Sequence, residues 1–324
     1  MIVSMKPPYS ITSGIMKEIS SISGKLGEVK AKYLNRPSPN LRKQNRIKTI
    51  HSSLKIEGNT LTQEQITAII ENKRVIGPQN EIQEVTNAIR AYDNLQTFNH
   101  LSHKSFLVAH KLLMDELIEK PGNYRTENAG ILHGSRVAHL APSPGLVPSL
   151  MKDLFTYLKT GDELTLVKSC VFHYEMEFIH PFADGNGRMG RLWQTLILMK
   201  EFPVFEYLPF ETMIQQTQDD YYRALSASDK LGNSTDFVHY MLYVINSSLG
   251  ELLDFNSRTL KVTDRIEYFM TMDIRKFSRK NYMNVFKDIS TATASRDLKY
   301  GVESGFFKKT GTKNKTIYRV CQNQ

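Results

Sequence analysis

Apolar residues recur at spacings of three and four through most of the chain, which predicts a mainly α-helical protein. Glycines and prolines interrupt this pattern between residues 122 and 148, around two short stretches, Gly130–His133 and Arg136–Leu140. We therefore expect one β-hairpin inside a helical body. The segments with helical spacing are 11–34, 41–55, the stretch after a Thr62 cap, 81–99, 104–118, 149–159, 165–178, 187–200, 217–228 and 234–254.

The C-terminal part shows a different order of elements and a different charge. Three helical segments are followed by two strand-like stretches, over 261–271, 278–287, 291–303, 306–309 and 316–320. The net charge is +7 over residues 1–105, −7 over 106–254 and +9 over 255–324. These shifts predict an N-terminal helical region (1–105), a helical core (106–254) and a small basic domain (255–324).

The amino-acid composition argues against several classes of protein. The 324 residues are 40% apolar and 23% charged, which is typical of a globular chain, and no run of 18 apolar residues predicts a membrane span. Two cysteines, Cys170 and Cys321, are too few for a disulfide framework or a four-cysteine zinc site. The first ten residues lack the pattern of a secretory leader. We therefore expect a cytoplasmic protein without a membrane partner.

The sequence H-P-F-A-D-G-N-G-R-M-G-R occupies residues 180–191, between two helical segments. Its turn-forming residues predict a loop at 184–187, followed directly by the first turn of a helix. The N–H groups of that turn lack intrahelical partners and lie at the positive end of the helix dipole, so they form an anion site. Arg188 and Arg191 are three residues apart on this turn, which favours a polyphosphate ligand.

Three other side chains of this segment suit the same interpretation. Asp184 offers a hard oxygen ligand for a magnesium ion that also binds phosphate oxygens. His180 is placed to accept a proton from an attacking hydroxyl near neutral pH. Phe182 is interpreted as an apolar anchor for the loop. Each residue taken singly has a common structural explanation, so the prediction depends on their combination within twelve residues.

This segment resembles the signature of the Fic family, H-x-F-x-[DE]-G-N-G-R-x-x-R, at every fixed position. The resemblance implies transfer of AMP from magnesium-bound ATP to a protein hydroxyl, with pyrophosphate leaving. It implies His180 as the general base, Asp184 as the magnesium ligand and Arg188 as the contact to the terminal phosphate. The remaining implied phosphate-site residues are Gly185, Asn186, Gly187 and Arg191.

Two further segments resemble the same family. Pro121–Arg125 matches the entry to the hairpin, and the resemblance makes the hairpin, about 131–147, a flap that covers ATP and binds the target by strand addition. Tyr222 resembles an aromatic residue near the adenine, although its helical spacing is more typical of a core residue. Cys170 and His173 are interpreted as core residues.

Residues 52–59, S-S-L-K-I-E-G-N, fit the family's inhibitory pattern [ST]-x-x-x-E-[GN]. Ser53 and Glu57 are four residues apart on one helix face, and a carboxylate at a helix C terminus is disfavoured unless a cation is near. The resemblance implies that this cation is Arg188, so that Glu57 removes the arginine that should hold the γ-phosphate. The alternatives are an exposed glutamate near a turn and a role for Glu57 in AMP removal.

The segment Ser290–Leu298 resembles the second helix of winged helix-turn-helix domains. The basic charge of the tail fits DNA binding through this domain, and a protein-contact or dimer module fits equally well. If DNA is the partner, the residues towards the major groove are Thr291, Thr293, Arg296 and Lys299, and those towards phosphates are Lys308, Lys309, Lys313 and Lys315.

The leading prediction is an autoinhibited protein adenylyltransferase that acts on a Ser, Thr or Tyr hydroxyl of a target protein, itself included. One alternative is a nucleotide-sensing, DNA-binding transcriptional regulator. Another is the same enzyme with a different nucleotide donor. His180 and Arg188 favour an enzyme, since a sensor needs no general base. The resemblance also allows a homodimer, and it assigns no role to residues 1–40.

Overall fold

The computed structural model describes residues 6–32, 39–133, 136–257, 262–270, 272, 274–286, 289–312 and 316–321. Within these ranges the chain is mainly helical, as predicted. Contacts divide it into two compact units, Met1–Leu253 and Asp254–Gln324. None of the described helices combines the length and the apolar character that crossing a membrane requires.

The first unit contains a series of helices and one hairpin. Strands β1 (Gly130–His133) and β2 (Arg136–Leu140) pair antiparallel, with Gly130 opposite Leu140, which confirms the predicted hairpin. Gly134 and Ser135, at the tip of the predicted flap, lie outside the described residues. The helices are α1 (Ser13–Lys32), α2 (Pro39–Ile56), α3 (Gln63–Ile70), α4 (Gln79–Asp93), α5 (His103–Leu113), α6 (Val147–Thr160), α7 (Thr165–Ile179), α8 (Asn186–Glu201), α9 (Phe210–Gln216), α10 (Gln218–Leu231) and α11 (Thr235–Ser257). Short 3₁₀ segments occur at Leu95–Thr97, Pro144–Leu146 and Pro203–Glu206.

Local sequence explains where α2 ends and α3 begins. Gly58 follows α2 with φ of 94°, a conformation that glycine adopts without strain. The Thr62 hydroxyl then accepts from the Gln65 N–H (3.3 Å), and the Gln65 side chain accepts from the Thr62 N–H (2.9 Å). This capping box is the one that the sequence predicts.

Three helical segments differ from the prediction. The helix predicted over 104–118 ends at Leu113. The segment predicted as one helix over 81–99 ends at Asp93, because the Asn94 side chain binds the Arg90 carbonyl (2.9 Å) and competes with the helix. Helix α9 was not predicted. Its seven residues are too few to show a helical period in the sequence.

Helices α7 and α8 lie at the centre of the first unit. Side chains from Met189 to Met199 on α8 are all buried, as expected for a helix that is covered on every side. Phe106 packs edge-on against Trp193, with ring centroids 5.1 Å apart, and Phe182 stacks on Phe106 at 5.5 Å. Because Phe182 is fully buried, it fixes the loop between α7 and α8 to this core.

The second unit has its own core and a three-stranded antiparallel sheet of order β3-β5-β4. Its elements are α12 (Val262–Met270), β3 (Lys276–Phe277), α13 (Arg279–Val285), α14 (Thr291–Glu303), β4 (Phe307–Thr310) and β5 (Ile317–Val320). Strand β3 was not predicted, since two residues carry no alternation. Inside the unit, Arg265 donates to Asp297 through Nε (2.6 Å) and Nη2 (2.8 Å), a buried pair that ties α12 to α14.

Candidate active site

His180 ends α7 and begins the loop that carries the motif. It adopts a left-handed conformation, with φ of 48° and ψ of 60°, which is uncommon for residues other than glycine and costs about 1–3 kcal/mol. Arg125 holds this conformation: its Nε donates to the His180 carbonyl (2.7 Å), and its backbone N–H donates to the Pro181 carbonyl (2.9 Å). The same guanidinium donates to the Pro142 carbonyl (2.5 Å), just after β2. Arg125 thereby links the loop to the end of the hairpin.

Asn186 closes the loop through its side chain. Its Oδ1 accepts from the Phe182 N–H (2.9 Å), and its Nδ2 donates to the Phe182 carbonyl (3.0 Å). The side chain is therefore committed to the backbone of the loop, and any contact from Asn186 to a phosphate falls to its backbone N–H. The first intrahelical bond of α8 runs from the Met189 N–H to the Gly185 carbonyl (3.0 Å), so the N–H groups of residues 186–188 precede it.

Asp184 and Arg188 form an ion pair beside this first turn. Asp184 Oδ1 accepts from the Gly185 N–H (2.6 Å), and Oδ2 accepts from Arg188 Nη2 (3.0 Å). The Asp184 side chain is 57% exposed, whereas that of Arg188 is 4% exposed. Arg188 Nη1 donates to Glu84 of α4 (3.0 Å), a residue that the sequence did not single out.

Ser53 and Glu57 lie against the motif, but the cation they meet is Arg191. Arg191 Nη2 donates to Glu57 Oε1 (2.6 Å) and to the Ser53 carbonyl (3.0 Å), and Nε donates to the Ser53 hydroxyl (3.1 Å). The predicted Glu57–Arg188 pair is therefore wrong. The two arginines share one side of α8, and their spacing does not say which of them faces α2 and which faces α4.

Glu57 also occupies the approach to the first turn of α8. A Cβ added to Gly187 would collide with Glu57 Oε1. Glycine at this position leaves room for the carboxylate, and it leaves the same room for a phosphate oxygen once the carboxylate is absent.

Two buried carboxyl groups surround Arg191 beyond Glu57. Burial raises the pKa of Glu177 and of Glu211 to about 7. The Tyr221 hydroxyl donates to Glu177 (3.2 Å), and the Tyr92 hydroxyl donates to Glu211 (3.3 Å). Burial lowers the pKa of Arg191, but the charge and hydrogen bond of Glu57 together with the charges of Tyr221 and Glu177 more than offset this, so the pKa of Arg191 is raised overall. Arg191 therefore stays charged in this pocket.

The predicted core residues of α7 are buried. His173 Nδ1 bonds Gln194 Oε1 (2.7 Å), and burial lowers the pKa of His173 to about 3, so the ring is neutral. Cys170 is fully buried as well. Tyr222 is half-buried on α10, one turn after Gln218, whose amide donates to the Ile56 carbonyl at the end of α2 (3.0 Å). Tyr222 thus lies near the turn that follows α2.

His110 of α5 supports the loop, and no sequence pattern pointed to it. Its Nδ1 accepts from the Gly122 N–H (2.8 Å), so Nε2 carries the proton and donates to the Asp184 carbonyl (3.0 Å). Burial lowers the pKa of His110 to about 4, which keeps this neutral form. The ring stacks on Phe182, with centroids 3.5 Å apart and planes within 5°. His110 therefore holds both Asp184 and the anchor of the loop.

Asp184 fits a magnesium ion that arrives with a nucleotide. Proteins hold Mg²⁺ through one or two carboxylates together with substrate phosphates, and Asp184 is a single exposed carboxylate beside an anion site. Across the residues that the structure describes, no group of three or more His, Cys, Asp and Glu side chains could hold a metal ion unaided.

The chain is similar to known proteins of one family. A family model described as the Fic/DOC family matches residues 100–198. A crystal structure of a Fic family protein from Desulfovibrio desulfuricans is similar over 99% of this chain and 99% of that chain, with 39% identity and a TM-score of 0.76.

Curated relatives are named as adenylyltransferases. The protein adenylyltransferase fic-1 of Caenorhabditis elegans is 32% identical over 204 residues, which is 59% of this chain and 38% of the relative. A probable protein adenylyltransferase of Aquifex aeolicus is 23% identical over 286 residues, 80% of this chain and 79% of the relative. The chain thus spans well under half the length of the C. elegans relative.

Proposed function

Since the chain belongs to the Fic/DOC family, we propose that it is a protein adenylyltransferase that moves AMP from ATP to a protein hydroxyl. The observation that carries the proposal is the loop of residues 180–187. It brings His180, Asp184 and the open first turn of α8 together, with two arginines alongside. The names of the curated relatives support the choice of AMP as the transferred group.

The proposed reaction follows from these groups. The oxygen of a Ser, Thr or Tyr hydroxyl bonds to the α-phosphorus, the bond from that phosphorus to the β-phosphate oxygen breaks, and pyrophosphate leaves. His180 accepts the hydroxyl proton. The first-turn N–H groups bind oxygens of the α-phosphate and position it for attack, and Arg188 binds the outer phosphates. When bound at Asp184, magnesium supplies positive charge to the phosphates.

We also propose that Glu57 inhibits this activity. A γ-phosphate that uses Arg191 must displace Glu57, which bonds Arg191 at 2.6 Å and lies over Gly187. The inhibited state would bind ATP with its terminal phosphates out of place.

The test compares the wild type, Glu57→Gly, and Glu57→Gly with His180→Ala, each incubated with magnesium and ATP labelled at the α-phosphate. Label on protein is measured, beginning with self-modification. We expect strong labelling by Glu57→Gly, weak labelling by the wild type and none by the double variant. If all three stay unlabelled with every nucleotide donor, although nucleotide binds, the transferase proposal is wrong and a nucleotide sensor replaces it.

A second proposed function concerns the C-terminal unit, which we propose is a winged-helix module that binds DNA. The order α12-β3-α13-α14-β4-β5 with its three-stranded sheet supports this fold. Arg296 and Lys299 are exposed on α14, on the face opposite its buried side, and Lys308 and Lys309 are exposed on β4. Lys313 and Lys315 lie outside the described residues.

A gel-shift titration of the full chain with duplex DNA at low salt tests this module. We expect retardation that weakens in Arg296→Ala/Lys299→Ala and persists in Lys17→Ala, an exposed lysine of the first unit. Absence of any shift, or equal shifts for all variants, would favour the protein-contact module instead.

A further inference from the structure

Glu84 of α4 contacts both the motif and the turn that follows α2 (residues 57–60). Its Oε1 accepts from Arg188 Nη1 (3.0 Å), and its Oε2 accepts from Asn59 Nδ2 (2.8 Å). Asn59 is buried, and its amide also donates to the Glu81 carbonyl (3.2 Å) and accepts from the Leu61 N–H (3.1 Å). The Glu84 carboxylate is therefore fixed on one side before it meets Arg188.

Arg188 has two anionic partners that differ in their exposure. Its side chain is almost fully buried, and its guanidinium has two carboxylate partners in the described part of the chain, Glu84 and Asp184. Asp184 is mostly exposed and is the proposed magnesium ligand, so its bond to Arg188 competes with the metal. Glu84, at 21% exposure and held by Asn59, is the partner that remains when Asp184 binds elsewhere.

We propose that Glu84 is a positioning residue, which holds the Arg188 guanidinium in the plane in which it meets the outer phosphates of ATP. This inference rests on the proposed function and extends it to a residue more than a hundred positions away in sequence. An arginine side chain loses much conformational freedom when it binds a phosphate, and a fixed carboxylate restricts that freedom beforehand.

The negative charge of Glu84 has the opposite effect on ATP binding from its positioning of Arg188. A carboxylate near the triphosphate repels it, so removal of the charge alone would strengthen ATP binding. A loss of ATP affinity after removal of Glu84 can therefore arise only through the position of Arg188 or through damage to the fold. A comparison of ATP binding with AMP binding distinguishes these two causes, because AMP lacks the outer phosphates that Arg188 binds.

The experiment measures binding of ATP and of AMP by calorimetry, with magnesium, in a Glu57→Gly background. We expect Glu84→Ala to weaken ATP binding tenfold or more, equivalent to about 1.4 kcal/mol, and to change AMP binding less than about twofold. With Arg188→Ala already present, Glu84→Ala should weaken ATP binding no further.

Glu81→Ala is the matched control. Glu81 lies on the same helix and accepts from the Thr60 N–H (2.6 Å) and hydroxyl (2.8 Å) of the same turn, but its side chain binds Thr60 rather than Arg188. We expect its ATP and AMP affinities to match those of the parent. Glu84→Gln, which keeps an acceptor for Arg188, should lose less affinity than Glu84→Ala, and it decides the question if Glu84→Ala does not fold.

The inference is overturned if Glu84→Ala binds ATP as tightly as its parent or more tightly, which would make Glu84 a second inhibitory carboxylate. Equal losses for ATP and AMP, equal losses in Glu81→Ala, or an additive loss with Arg188→Ala would overturn it as well. If the folded Glu57→Gly parent binds no ATP, the proposed function itself fails, and this inference fails with it.

Discussion

Replacement of Glu57 by glutamine should destabilise the protein and activate it at the same time. The substitution keeps the size of the side chain and removes the charge that faces Arg191. Arg191 is 1% exposed and Glu57 is 30% exposed, so the pair is buried on the arginine side and partly solvated on the other. A buried guanidinium would lose its charged partner, while both bonds to Ser53 remain.

The magnitude follows from this geometry. Removal of one partner from a fully buried pair costs about 3–5 kcal/mol. The partial exposure of Glu57 and the two bonds from Ser53 reduce the cost, so we expect the free energy of unfolding to fall by about 2 kcal/mol. For a unit of this size, about 1 kcal/mol shifts the Tm by 2–4 °C, so the Tm should fall by about 4–8 °C.

Thermal unfolding of the full chain with and without magnesium and ATP measures both effects. A ligand at a hundredfold excess over its Kd stabilises the folded protein by about 2.7 kcal/mol. At one ATP concentration the stabilisation should be larger in Glu57→Gln than in the wild type, because ATP no longer competes with the carboxylate and binds more tightly. Glu119→Gln, at an exposed glutamate of the same unit, is the control. An unchanged Tm for Glu57→Gln, or equal stabilisation of both proteins by ATP, would refute the reasoning.

Three further changes test other parts of the site. Asp184→Ala should abolish magnesium-dependent transfer in Glu57→Gly, and unchanged labelling would remove the metal assignment. His110→Phe keeps the stacking on Phe182 but loses both hydrogen bonds, so kcat should fall about tenfold to a hundredfold with little change in the KM for ATP; equal kinetics would show that the loop needs no such support. Burial raises the pKa of Glu177 from 4.5 to about 7, so its stabilising contribution is full below about pH 4.5 and is lost as the pH rises through 7. Glu177→Gln should therefore gain stability relative to the wild type by roughly 2 kcal/mol between pH 5 and pH 8 in urea unfolding, and a constant difference would contradict the shift.

Sequence patterns predicted the candidate site because its main parts are local. His180, Asp184, Asn186 and the arginines lie within one helix–loop–helix segment, and helical periodicity and turn chemistry specify such a segment without tertiary information. The same holds for the capping box at Thr62 and for the pairing of β1 with β2, whose boundaries agree with the prediction.

Short elements and individual side-chain partners were harder to predict from the sequence. Helix α9 has seven residues and strand β3 has two, so neither carries a readable period, and the break at Asn94 depends on one side-chain bond. Helix α9 packs on α2 and strand β3 pairs with β5, so these two elements form through tertiary contacts and intrinsic preference contributes little.

The sequence by itself determined that Ser53 and Glu57 share one helix face and that this face needs a cation. Only the tertiary structure decided that the cation is Arg191 and that Arg188 belongs to Glu84, because the packing of α2 and α4 against α8 sets which arginine each helix meets. The same applies to His110, whose hydrogen bond to the Asp184 carbonyl joins residues 74 positions apart. Periodicity fixes which side chains share a face within one helix, whereas the choice of partner across helices comes from the packing of the whole unit.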